Sequence, residues 1–377
     1  MKKSGGTIWI VWSVIFAVVA ISAVFCCLVM YVYFTRIAPA QAQAKRTEGA
    51  SESGTTDKEP ENADVLSGVS DDERGYFFTE EELREYLASR ESEVAENAAQ
   101  SARAELLSKI KQMMQDEGST VKMLRSLFPE ELVVFSNATY FFIPIDDTLK
   151  KAAYDTQYFK VDEASGVFSY DDGAGLIARK GIDVSRFQGK IDWAKVKNSG
   201  VEFALIRLGL RGYTEGAVVI DETYEYNIDE AAAQDIHTGV YFFSQAKNVE
   251  EMDEEIDFIM ENLAGHEMDG PIVVDIEDVN NGKGRTGNLT VSDRTALTKH
   301  FCERITELGY RPMIYGNLKS FTLMLDMKEL EDYPKWFAFY DLPVYFPYDY
   351  DILQYSESGG VDGITGNVDL NLAFRVW

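Results

Sequence analysis

Pro271-Ile272-Val273-Val274-Asp275-Ile276-Glu277-Asp278 is an apolar run that ends abruptly in alternating carboxylates. It reads as a buried strand delivering acids to a site. Strand side chains alternate faces, so Asp275 and Glu277 point the same way, roughly 7 Å apart at about 3.3 Å rise per residue. Two carboxyls at that spacing suit the flanks of one bond. Acid-catalysed glycoside cleavage needs one protonated acid for the leaving oxygen and one ionised partner for an oxocarbenium-like transition state. Neighbouring carboxyls split their pKa values, which favours such a division. The competing reading is an acidic strand end that only solvates a loop, and the rest of the chain decides between the two.

Outward from this strand, apolar runs alternate with amphipathic stretches from Gly181 onward. The other strand candidates are Gly181 to Val184, Phe203 to Arg207, His237 to Phe243, Pro312 to Tyr315, Trp336 to Tyr340 and Ile352 to Tyr355. Helical patterns lie between them at Tyr224 to Gln234, Val249 to Asn262 and Ser292 to Leu308. This is the cadence of parallel βα units, and roughly 200 residues suit a (β/α)-type barrel. Several strands end in Asp, Glu, Arg, Tyr or Ser, and in such barrels polar residues at the C-terminal strand ends form the site.

Composition excludes other classes. A formal charge of −27 over 377 residues repels phosphate backbones, and no Lys/Arg cluster breaks that field, so nucleic acid is not an expected partner. The three histidines, His237, His266 and His300, lack metal-ligand spacing, and Cys302 sits alone in a helical pattern. Neither a metal nor any other cofactor is expected. Residues 7–35 carry no charge and exceed the roughly 20 residues that span a bilayer. They exceed a signal-peptide apolar region of about 7–15 residues as well. The reading is an uncleaved single-pass anchor over 1–36 with a cytoplasmic N-terminus. A polar stalk follows over 37–75, too poor in apolar groups to repay its ordering entropy. A helical spacer over 76–118 opens with the capping-box pattern Thr79-Glu80-Glu81-Glu82. Residues 119–179 read as a small mixed α/β module, with a hairpin around Ser136-Asn137-Ala138. Residues 180–377 form the barrel.

The ordered set of motifs in 180–377 resembles the glycoside hydrolase family 25 muramidases, the Chalaropsis-type lysozymes. Gly181-Ile182-Asp183-Val184-Ser185-Arg186-Phe187-Gln188-Gly189, Pro271 to Glu277, Gln354-Tyr355-Ser356 and Gly363 to Asn371 carry the likeness. It implies an irregular barrel with fewer helices than strands. It implies Glu277 as the general acid, with Asp275, Asp183 and Asp369 completing the acidic site, and the β-1,4 bond from N-acetylmuramic acid to N-acetylglucosamine as the target. The partner would be peptidoglycan glycan strands, met from an extracellular position facing the wall. Asp275 either orients the substrate's own acetamido group as nucleophile, with net retention, or a carboxylate attacks directly. Tyr241, Phe243, Trp336, Tyr340 and Tyr355 are candidates for stacking on sugars or for core packing, Gln354 and Asn371 for substrate contacts, and Arg207 for pairing with a site carboxylate. The rival functions are a catalytically silent wall-binding scaffold and a Mg²⁺-dependent phosphoesterase using Asp275, Glu277 and Asp278.

Overall fold

The computed structural model describes residues 79–375 except 267, 280 and 281. The apolar run 7–35 and the stalk lie outside the described residues. Among the described residues no helix is long and apolar enough to cross a membrane. The chain divides between Glu93 and Val94 into two compact units. The first contributes Thr79 and the start of helix α1 (Glu80–Glu117). Thr79 and Glu82 form a reciprocal cap, Thr79 N–H donating to Glu82 at 2.8 Å and Glu82 N–H to Thr79 Oγ1 at 3.2 Å. Two of the helix's orphan donors are thereby satisfied.

In the second unit, helix α2 (Thr120–Leu127) leads into an antiparallel hairpin of β1 (Glu131–Ser136) and β2 (Thr139–Pro144). Its two turn residues, Asn137 (φ 51°) and Ala138 (φ 60°), both take the left-handed region that a type I′ hairpin turn requires. A second, shorter hairpin pairs β3 (Phe159–Val161) with β4 (Phe168–Tyr170). Both pack against the neighbouring barrel. Tyr345 Oη accepts the Val133 N–H and donates to the Glu131 carbonyl, each at 2.9 Å, and the Tyr170 ring of the second hairpin meets Phe374 edge-on at 5.2 Å.

The barrel contains seven parallel strands and one reversed strand. β5 (Arg179–Val184), β6 (Phe203–Arg211), β8 (His237–Phe243), β9 (Ile272–Asp275), β10 (Pro312–Asn317), β11 (Lys335–Ala338) and β12 (Ile352–Gly359) run the same way. β13 (Val368–Ala373) lies antiparallel between β12 and β5 and closes the ring, while β7 (Val218–Ile220) folds back on β6 as a short branch. Helices α3 (Trp193–Asn198), α4 (Tyr224–Ala232), α5 (Val249–Leu263) and α6 (Val291–Glu307) occupy only the first half of the circuit. This is a (β/α)-type barrel, as the strand cadence predicts, with fewer helices than strands, as the family resemblance implies.

Alternation sorts the strand side chains into an outer core under the helices and a separate interior cluster. The lower part of the interior is apolar, with Phe203, Leu205, Val273, Met313, Ile352 and Ala373 buried against one another. Gly181 is required there, because a Cβ would lie 2.2 Å from the Phe203 ring. Continuing two residues along the same inward faces brings each strand from floor to mouth. Leu205 is followed by Arg207, Val273 by Asp275, Ile352 by Gln354, and in reverse Ala373 by Asn371 and Asp369.

Candidate active site

Asp183 is the centre of a fixed polar cradle. Its Oδ2 accepts from Gln354 Nε2 and from Asn371 Nδ2, each at 2.8 Å. An indole N–H, which can only donate, fixes the Asn371 amide, and two phenol hydroxyls meet the Gln354 amide oxygen. Trp336 Nε1 donates to Asn371 Oδ1 at 2.8 Å, and Tyr315 and Tyr340 hydroxyls donate to Gln354 Oε1 at 2.9 Å. Asp369 stands directly opposite Asp183 across the β13–β5 ladder, and the two carboxyls hydrogen-bond. Burial and then the Asp369 charge push Asp183 well above the usual carboxylate range. Burial pushes Asp369 up to about 6, with the nearby Glu357 charge adding to the rise. The pair therefore shares a proton.

Asp275 ends β9 beside Phe243 on β8 and Tyr315 on β10. It is buried, and its Oδ1 has no hydrogen-bond partner. Burial, then the charges of Glu277 and Asp183, raise its pKa, while Arg207 opposes the rise. Glu277 lies two residues beyond, on the same side. Burial and then Asp369 raise it too, with no cation opposing. Both acids are thus raised by burial and by neighbouring charge, and of the two only Asp275 has a cation, Arg207, opposing the rise.

Arg207 does not pair with these acids, as the sequence reading expected. Its Nε donates to Asp221 Oδ2 at 2.7 Å, and Nη2 lies 2.6 Å from the same oxygen without hydrogen-bond alignment. Asp221, fully enclosed, would rise through burial, but the Thr223 and Arg186 N–H groups, the Thr223 hydroxyl and Arg207 hold it below its usual range. Arg207 is thus neutralised locally and reaches Asp275 only through its field.

The aromatic candidates separate. Tyr241 and Trp336 lie inside the barrel, edge to face at 5.8 Å, and Trp336 is fully buried against Tyr315. Trp336 is barrel packing and not a sugar platform. Tyr355 follows Gln354 on β12 and so faces outward, stacking on Phe168 of the second hairpin at 4.5 Å, which removes it from the site. Phe243 is half-buried beside Asp275, and Tyr340 stands at the rim, 47% exposed. The sequence reading missed Phe187. Its ring is 73% exposed and faces the Arg207 guanidinium at 5.2 Å, an open aromatic surface on the barrel mouth.

No third carboxylate is free beside Glu277 on its own segment. Asp278 accepts the Gly282 N–H at 2.7 Å and pairs with Lys319. The three histidines each pair with a different aspartate, His237 with Asp269, His266 with Asp229 and His300 with Asp253. Among the described residues no group of three or more His, Cys, Asp or Glu is arranged to hold a metal ion.

Fold and mouth together define an acid-lined barrel of the (β/α) type. Residues 182–364 match the model for glycosyl hydrolases family 25. The autolytic lysozyme of Clostridium acetobutylicum is 28% identical over 193 residues, which cover 51% of this chain and 55% of the relative. Lysozyme M1 of Streptomyces globisporus is 29% identical over 202 residues, covering 51% and 66%. The chain thus spans between about half and two thirds of the length of these relatives. Among solved structures, a family 25 glycosyl hydrolase from Bacillus anthracis is 21% identical, with a TM-score of 0.43 over 52% of this chain and 89% of that one.

Proposed function

We propose that the barrel is an N-acetylmuramidase, cleaving the β-1,4 bond from N-acetylmuramic acid to N-acetylglucosamine in peptidoglycan. The observation that carries this reading is the pairing of a half-enclosed Glu277, raised by burial and by Asp369, with a deeper Asp275 at the end of one strand. Glu277 would donate its proton to the glycosidic oxygen as the bond to C1 breaks. Positive charge then develops at the anomeric centre, and the nearby carboxylates stabilise it in a site largely withdrawn from water. Asp275 supports a substrate-assisted course with net retention. Its unpartnered Oδ1 suits acceptance of one N–H, that of the acetamido group, whose carbonyl oxygen would attack C1. Asp183 and Asp369, sharing one proton, would hold a polar ring hydroxyl without adding a second full charge.

The relatives named lysozymes point the same way. The phosphoesterase reading loses its third ligand, since Asp278 is occupied by Lys319 and the Gly282 N–H. The uncharged run 7–35 supports tethering to a membrane, which would confine cleavage to nearby wall and favour remodelling of the cell's own peptidoglycan.

Digestion of purified peptidoglycan by the full-length chain, beside Glu277→Gln, tests the reading through mass spectrometry of borohydride-reduced products. Reduced muramic acid ends are expected from the unaltered chain, with at least a roughly 100-fold loss in Glu277→Gln. Equal release by both proteins would reject Glu277 as the acid. Wall binding without any new reducing ends would turn the assignment to a scaffold.

A further inference from the structure

Glu277 lies beyond the last residue of β9, so the strand ladder no longer fixes its main chain. A clamp from other segments takes over. Gln245, buried in the segment after β8, donates from Nε2 to the Glu277 carbonyl at 3.4 Å and accepts from Thr286 Oγ1 at 3.2 Å. The Gln245 carbonyl in turn accepts from Arg285 Nη1 at 2.8 Å. Arg285 also grips Glu251, in the first turn of α5, through both terminal nitrogens, at 2.9 and 2.7 Å. Its backbone N–H donates to the Tyr213 carbonyl at 3.1 Å. The guanidinium lies so close to Gly216 that a Cβ there would stand 2.6 Å from it. One cation therefore ties the loop after Glu277 to the β6–β7 turn, to α5 and to the residue holding Glu277's own carbonyl.

We propose that Arg285 is a positioning residue for the proton-donating carboxyl, acting through Gln245 and Glu251 to hold Glu277 at its depth in the barrel mouth. The inference rests on the muramidase reading for its catalytic consequence and on geometry for the rest. A planar fork that binds two partners at once is not replaced by an ammonium, so Arg285→Lys is expected to behave as a partial loss. Small displacements of a reacting group cost large factors in rate, so kcat should fall while substrate binding holds.

The test combines kinetics with a direct titration. Kinetics on soluble peptidoglycan fragments are expected to give roughly tenfold lower kcat for Arg285→Ala at nearly unchanged KM, with Arg285→Lys between it and the unaltered chain. In a Glu277→Gln background Arg285→Ala should cost nothing more. A selectively ¹³C-labelled Glu277 carboxyl, with Asp275, Asp369 and Tyr315 left intact around it, should titrate closer to a free glutamate in Arg285→Ala. Thermal melting checks that each variant is folded, and Glu251→Gln replaces Arg285→Ala if the latter is not. An unmoved Glu277 titration in a folded variant, or an equal loss of kcat in both backgrounds, overturns the proposal. If the unaltered chain shows no turnover, the muramidase reading fails on its own, and the titration still decides whether Arg285 positions Glu277.

Discussion

The floor and the mouth of the barrel are built from the same strands two residues apart, yet they answer to opposite demands. The floor joins Phe203, Leu205, Val273, Met313 and Ile352 in a dry cluster that lowers the free energy of the folded chain. The mouth concentrates Asp183, Asp275, Glu277 and Asp369, three of whose pKa values rise first through burial and then through one another's charge, while Asp369 rises through burial and then Glu357. Stability is therefore given up where the strands end so that protons can be held there.

Substitutions one layer apart should separate the two demands. Asp275→Asn is expected to lower kcat by roughly 10²-fold or more while raising the melting temperature at pH 7 by a few degrees, because a buried charge is removed. A lower melting temperature would show that Asp275 contributes to the fold as well. Phe203→Ala should do the reverse, costing about 3–5 kcal/mol in denaturant unfolding while the folded fraction keeps its kcat. Loss of kcat at full folding would mean that the floor sets the mouth's geometry. Asn371→Leu lies on the boundary. It leaves the Trp336 N–H unpaired and Asp183 with one donor fewer, so about 1–3 kcal/mol of stability should go, together with part of the activity.

The smallest expected effect is on pH dependence. Raised carboxyls bind more protons in the folded chain than in the unfolded one, so their contribution to stability falls as pH rises above the ordinary carboxylate range. The window runs from about pH 4 through Asp369, pushed up to about 6, and Glu255, which burial pushes up to about 7 despite Ser244 and Arg211. The melting temperature should be higher at pH 5 than at pH 8. Equal values, or the opposite order, would remove the claim that the mouth opposes folding.

Much of this division was legible in the chain. The Ile272 to Glu277 run showed both its buried strand and its paired acids, because period-two alternation is local information. The same rule, applied to Gln354-Tyr355, would have turned Tyr355 outward once Gln354 faced the interior. What was not legible depended on contacts between distant segments. Arg207 meets Asp221, 14 residues on, because the β6–β7 turn brings them together, and no spacing rule announces it. Trp336 is buried because Tyr315 and Tyr241 close over it, whereas Phe187, equally aromatic, is left open by the short turn after β5.

The reversed strand β13 also has a bearing on time. The two amides that cradle Asp183 stand 171 and 188 residues further along the chain. A ribosome therefore makes the first acid long before the groups that orient it, and contacts of such sequence separation form slowly. Every carboxylate but Asp369 can be present in a nascent chain with no assembled centre to use it. Docking of β13 completes the cradle, so the acidic centre is assembled only after that strand has been made.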